Sequence, residues 1–99
     1  MKEPTCYTVN LTAEARGFGF SIRGGHERQQ TPMFILRIEK GSPAFRNEKM
    51  QIGDEVLEIN GTATAALTHA QVVRIVKLGG SHIRLKLRRV STCTYDLSF

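Results

Sequence analysis

From Ile83 to Arg88 apolar and basic side chains alternate without a break, Ile83, Leu85 and Leu87 against Arg84, Lys86 and Arg88. Successive side chains of an extended chain point to opposite faces, so a period of two marks a strand with one dry face and one wet face. Such a strand needs partners. Tyr7 to Leu11 carries the same alternation and is expected to pair with it. Phe18, Phe20 and Ile22 alternate with Gly19, Ser21 and Arg23, and Met33 to Ile38 is nearly all apolar, as a buried strand would be. Between those two runs the polar stretch from Gly24 to Thr31 reads as a loop, so the pair forms a long hairpin.

The remaining elements announce themselves through caps and turns. Ser42 is placed to cap a short helix whose first position is Pro43, where the missing N–H costs nothing. Gly53-Asp54 turns the chain into a strand over Glu55–Ile59. Asn60-Gly61 follows directly, and both residues tolerate the positive φ of a tight hairpin. Thr62 to Leu67 is expected to return as a brief extended segment. Thr68, with Gln71 three residues on, forms a capping box for a helix running to about Leu78, and Gly79-Gly80 stops it. Hairpin links and few helices predict an α+β domain: a small, mainly antiparallel, five- to six-stranded β-barrel or sandwich with two helices.

A chain of 99 residues has room for one hydrophobic core. The expected layout is an N-terminal extension over 1–6, a domain over 7–90 and a C-terminal extension over 91–99. No apolar run approaches the ~20 residues of a membrane-spanning helix, and the opening Met1 to Cys6 lacks the apolar centre of a secretory signal. Cys6 and Cys93 are too few for a disulfide framework and fit reduced thiols inside the cell. With His26 they make no metal-ligand spacing, so no metal and no cofactor is expected. His26, His69 and His82 are scattered, no nucleophile and base converge, and the chain does not read as an enzyme. The formal net charge of +5 favours anionic partners without choosing among acidic peptides, anionic lipid and nucleic acid.

Gly17-Phe18-Gly19-Phe20 is the stretch with chemistry in it. No lysine and hydroxyl residue follow in the frame of a phosphate loop, and a strand follows where a dinucleotide fingerprint needs a helix. Successive N–H groups in an irregular glycine turn can instead converge into a concavity that holds a carboxylate. On the long helix His69, Val73 and Val76 fall on one stripe, and Val72 and Ile75 fall on a neighbouring stripe suited to the core. One of the two apolar stripes is therefore free to line a groove.

The chain resembles the PDZ domains over about residues 7 to 90. Gly17-Phe18-Gly19-Phe20 is similar to the family's carboxylate-binding loop. Gly41-Ser42-Pro43-Ala44, Gly53-Asp54-Glu55-Val56-Leu57-Glu58-Ile59-Asn60-Gly61, Thr68-His69 and the basic alternating last strand follow in the family's order. Within the family the wording is similar to the scaffolds called membrane-associated guanylate kinases with inverted domain order. The resemblance implies an adaptor that takes the free C-terminus of a partner by strand addition between the second strand and the long helix. It implies that the amides of Phe18, Gly19 and Phe20 hold the carboxylate, that Arg16 adds positive potential, and that Gly17 shapes the loop. Phe18, Phe20, Ile22, Val73 and Val76 would form the pocket for the last side chain, and Phe20, Ser21, Ile22 and Arg23 would bond the ligand backbone. His69 would accept from a Ser or Thr hydroxyl two residues before the ligand's end, which implies Ser/Thr-x-hydrophobic ligands, with hydrophobic-x-hydrophobic ones as the alternative. A cytoplasmic scaffold at the membrane or at cell junctions follows, with no nucleic acid.

Two further expectations come from charge and from the tail. The stripe of Arg84, Lys86, Arg88 and Arg89 reads as the wet face of a strand near a sheet edge, and its functional alternative is an anionic membrane surface. Asp96-Leu97-Ser98-Phe99 has an apolar last residue and reads either as an unstructured end or as a ligand for a neighbouring copy, although Leu97 stands where His69 prefers a hydroxyl.

Overall fold

The computed structural model describes residues 5–26 and 31–89. Its elements in chain order are β1 (Thr5–Thr12), β2 (Phe20–Gly25), β3 (Thr31–Ile38), α1 (Pro43–Asn47), β4 (Glu55–Ile59), β5 (Thr62–Ala63), α2 (His69–Leu78) and β6 (His82–Arg89). The strands form one antiparallel sheet in the order β1-β6-β4-β3-β2, with β5 paired to β4. This is the expected α+β architecture of six strands and two helices.

The alternating strands meet face to face. Tyr7 pairs with Leu87, Val9 with Leu85 and Leu11 with Ile83. The odd-numbered side chains thus share one face, and Val9, Leu11, Ile83, Leu85 and Leu87 are all buried. Ile35 and Val56 add to this core from β3 and β4, and Val72 presses in from α2. Fully burying a side chain of this size stabilises by roughly 1.5–3 kcal/mol, so the sheet's dry face carries most of the fold.

β6 lies between the edge strand β1 and β4, one strand in from the edge of the sheet. Its wet face is flanked by acids. Arg88 bonds Glu55, and Lys86 sits 3.8 Å from Glu58. Arg89 falls on the core side of the alternation. There its guanidinium contacts both oxygens of Asp54, at 3.0 and 2.8 Å, and reaches the Tyr7 hydroxyl at 3.0 Å. Asp54 is only 3% exposed. Burial and the Asp54 carboxylate push the Tyr7 phenol well above its ordinary range, and the hydrogen bond to Asp54 pushes Arg89 up as well.

The caps form as their sequences require. Ser42 Oγ accepts from Phe45 N–H at 3.2 Å with Pro43 opening α1. Thr68 and Gln71 complete the reciprocal capping box at 3.2 and 2.8 Å. Asn60 and Gly61 take φ of 51° and 84° and turn β4 into β5. The return strand is shorter than expected, at two residues. Thr64 ends it by turning its hydroxyl onto the carbonyl of Val56 at 2.6 Å. β2 also starts later than the apolar alternation suggests, because Phe18 lies in the glycine turn before it. The tail Asp96–Phe99 and Cys93 lie outside the described residues.

Candidate functional site

β2 is the last strand of the sheet, and α2 packs along it. His26 N–H, just past β2, donates to the carbonyl of Leu67, just before α2, at 3.0 Å. That bond fixes the direction of the helix. α2 runs back along β2, with His69 toward the strand's end and Val76 and Lys77 toward its beginning.

At that beginning the chain folds tightly. Glu14 and Gly17 exchange backbone hydrogen bonds of 3.0 and 2.8 Å, closing a turn over Ala15 and Arg16. Gly17 and Gly19 stand at φ of 88° and 89°, a region that side-chain-bearing residues rarely adopt. The carbonyl of Phe18 accepts from Ala44 N–H at 3.0 Å, and that of Gly19 accepts from Glu39 N–H at 2.7 Å. Gly19 packs directly on Ser42, and a Cβ added there would lie 1.9 Å from the Ser42 Cβ. Arg46 of α1 bonds Glu14 and so ties down the far side of the turn.

These bonds engage the carbonyls of the turn, that of Phe18 with Ala44 of α1 and that of Gly19 with Glu39 just past β3. Neither the Phe18 nor the Gly19 N–H donates to any backbone oxygen of the described residues. Phe20 pairs with Ile38, next to the Gly19–Glu39 bond. Antiparallel strands alternate inward and outward groups, so the N–H and C=O of Phe20 point to the open edge. Three amides are thus available at the mouth of the groove. Converging N–H dipoles of this kind attract an anion.

Beside them runs a groove of about 490 Å³. Phe18, Phe20 and Ile22 form its strand wall, and Val72, Val73 and Val76 form its helix wall. The Phe18 and Phe20 rings lean together with centroids 6.4 Å apart and planes tilted by 42°. Val73 is 38% exposed and faces the opening, whereas Val72 is buried in the core and Phe18, Phe20, Ile22 and Val76 pack against it from the groove side. Arg16 and Lys77 flank the amide end, and His69 lines the opposite end. An apolar slot with donors and cations at one end and an imidazole farther along suits an extended chain that ends in a carboxylate.

Of the residues expected from sequence, Arg16, Phe18, Gly19, Phe20, Ser21, Ile22, His69, Val73 and Val76 line this groove. Gly17 shapes the turn from behind and borders the adjoining cleft toward Ser42. Arg23 is exposed on β2 beyond the groove's lining. Sequence reasoning missed Arg37, Glu39 and Lys77 and gave Val72 to the core alone. Lys77 could have been found from the helical stripe, since it follows His69 by two turns and shares that side of α2. Arg37 and Glu39 depend on the strand pairing of β2 with β3, which no local pattern specifies.

The family model described as PDZ domain matches residues 8–88. The Rattus norvegicus membrane-associated guanylate kinase, WW and PDZ domain-containing protein 3 is 41% identical over 83 residues, which are 84% of this chain and 6% of that protein. The PDZ domain-containing protein MAGIX of Mus musculus is 42% identical over 84 residues, 84% of this chain and 26% of that protein. The chain therefore spans only a small part of the length of these relatives. The crystal structure of the second PDZ domain of a choanoflagellate (Monosiga brevicollis) Dlg1 aligns with a TM-score of 0.79 at 27% identity, covering 87% of this chain and 100% of that one.

Proposed function

The chain belongs to the PDZ family, a family of protein-interaction modules, and from that premise we propose that it captures the free C-terminus of a partner protein as an added strand on β2. One observation carries this reading. The Phe18, Gly19 and Phe20 amides face the groove's end with no described backbone acceptor, beside an apolar slot that the domain's own side chains leave open. The ligand's carboxylate accepts from those amides, and Arg16 and Lys77 add positive potential there. Its last side chain enters between Phe20, Val73 and Val76. The ligand backbone continues along the edge of β2 by β-augmentation. His69 lies toward the upstream end, where neutral imidazole accepts from a Ser or Thr hydroxyl. Micromolar affinity, about −8 kcal/mol, suits a reversible scaffold contact of this size.

Amidating the C-terminus of a test peptide examines the carboxylate directly. Binding is expected to collapse on amidation in a fluorescence-anisotropy titration, and equal affinity of the acid and the amide would refute the reading. Lipid binding through β6 has less support, because Lys86, Arg88 and Arg89 already face Glu58, Glu55 and Asp54.

A further inference from the structure

A second groove lies between α1 and the segment that leads into β4, and it shares no lining residue with the slot along β2. It measures about 910 Å³. Ile38, Phe45, Met50 and Ile52 give it an apolar lining, and Arg46 and Glu48 border it. Met50 is buried, but Phe45 is 48% exposed and Ile52 65% exposed. Large apolar side chains left in water around one hollow mark a surface that something else covers.

The same segment that walls this groove wraps the end of β6. The Arg89 guanidinium donates to the carbonyl of Lys49 and to both carboxylate oxygens of Asp54. Gln51 N–H donates to Asp54 Oδ2 at 3.2 Å. The chain therefore leaves β6 one arginine side chain away from Met50 and Ile52. Residues 90–99 lie outside the described residues, and their sequence carries Tyr95, Leu97 and Phe99 in alternation with Asp96 and Ser98. In an extended chain those three apolar side chains share one face. The six residues from Arg89 to Tyr95 span up to about 20 Å, ample to cross from β6 to the groove. Charge agrees with the reach. Residues 90–99 hold one acid, Asp96, and no cation. On the groove side, Lys49 is exposed and makes no salt bridge among the described residues.

We propose that residues 95–99 dock in this groove of their own chain, with Tyr95, Leu97 and Phe99 covering Phe45, Met50 and Ile52 and with Asp96 at the rim beside Lys49. The inference stands apart from peptide capture, because the two grooves have no residue in common. It also assigns the tail a seat other than the β2–α2 slot of a neighbouring copy. Docked there, the tail braces α1, whose Ala44 N–H holds the Phe18 carbonyl of the glycine turn at 3.0 Å.

Limited chymotrypsin digestion of the full chain tests the docking, since cleavage after Tyr95 at low protease follows the population of undocked tail. Cleavage there should be about tenfold slower in the unaltered chain than in Ile52→Ser protein. Leu97→Ser should release the tail to the same extent from the other side of the contact. Leu78→Ser removes an apolar side chain that is 79% exposed on α2, and it should leave the rate unchanged. Urea denaturation of each variant separates tail release from loss of the fold. Proton NOE spectra supply the geometry, with cross-peaks expected from the Tyr95 and Phe99 rings to the Ile52 and Met50 methyl groups. Isotope filtering in a mixture of labelled and unlabelled chains should place those cross-peaks within one chain. Equal cleavage of the unaltered and Ile52→Ser chains overturns the proposal, and so does a Leu78→Ser effect as large as that of Ile52→Ser. Cross-peaks between chains, or protection that fades on dilution, would give the tail to a second copy and overturn it. Missing cross-peaks, or cross-peaks to Val73 in place of Ile52, would overturn it as well. Each of these results leaves the acid-against-amide test of peptide capture unaffected.

Discussion

Replacing Gly19 by alanine separates the two demands that the glycine turn makes on that residue. The φ of 89° is the first, and a left-handed backbone costs a side-chain-bearing residue about 1–2 kcal/mol. The second is contact. The added methyl would meet the Ser42 Cβ at 1.9 Å, whereas non-bonded carbons settle at about 3.5–4.0 Å. Ser42 must therefore move, and with it the Ala44–Phe18 and Phe45–Ser42 hydrogen bonds of 3.0 and 3.2 Å. At about 1 kcal/mol each, their loss brings the expected destabilisation to about 3–4 kcal/mol. Gly17→Ala is the internal reference. Its φ is 88°, but nothing lies within 4 Å of the new methyl, so it should cost only the backbone share of about 1–2 kcal/mol. Urea denaturation followed by circular dichroism measures both. A double-mutant cycle with Ser42→Gly isolates the contact, since glycine at that cap forfeits only a few tenths of a kcal/mol. The coupling between positions 19 and 42 should reach about 2 kcal/mol. Equal costs at 17 and 19, or additivity within about 0.5 kcal/mol, would refute the argument that Ser42 sets the shape of the turn.

Three other outcomes follow from the geometry. His69→Ala should weaken ligands with Ser or Thr two places from the end by about tenfold, the value of roughly one hydrogen bond, and leave ligands apolar at that place nearly unchanged; equal loss for both in parallel titrations would remove His69 from specificity. Arg89→Ala leaves the buried Asp54 carboxylate without its cation and should cost about 3 kcal/mol in urea denaturation, while a cost as small as that of Lys86→Ala would mean the pair is not buried in solution. The Tyr7 phenol, raised above its ordinary range of about 10 by burial and by Asp54, keeps its proton in the folded chain after the unfolded chain has released its own. Its contribution is therefore intact below pH ~10 and declines as pH rises beyond it. Tyr7→Phe should flatten that alkaline decline in thermal melts taken between neutral and strongly alkaline pH, and an unchanged slope would count against the assignment.

The elements whose information is local were legible in the sequence. The period-two alternation of β6 needed only its own six residues, and the capping box, the Ser42–Pro43 start and the Asn60-Gly61 turn each needed four or fewer. The glycine turn was legible as a turn because its φ demands select glycine. What stayed hidden belongs to pairings between distant segments. Arg89 looked like one more solvated cation until β6 was placed beside β1 and β4, where its side of the strand ends over Asp54. β2 looked two residues longer, since alternation continues through Phe18 although the positive φ of Gly17 and Gly19 breaks the strand there. Arg37 is invisible as a groove residue without the bulged register that sets it against Ser21.

The bond between His26 and Leu67 works as a hinge pin. Among the described residues it is the backbone link between the strand and the helix that border the slot, and it sits at the end away from the glycine turn. A groove joined by backbone at its rear and by side-chain packing at its front should widen most readily at the glycine-turn end. The module should therefore tolerate a range of sizes at the ligand's final position and be strict about length and direction, because those are set by the rigid backbone at either end.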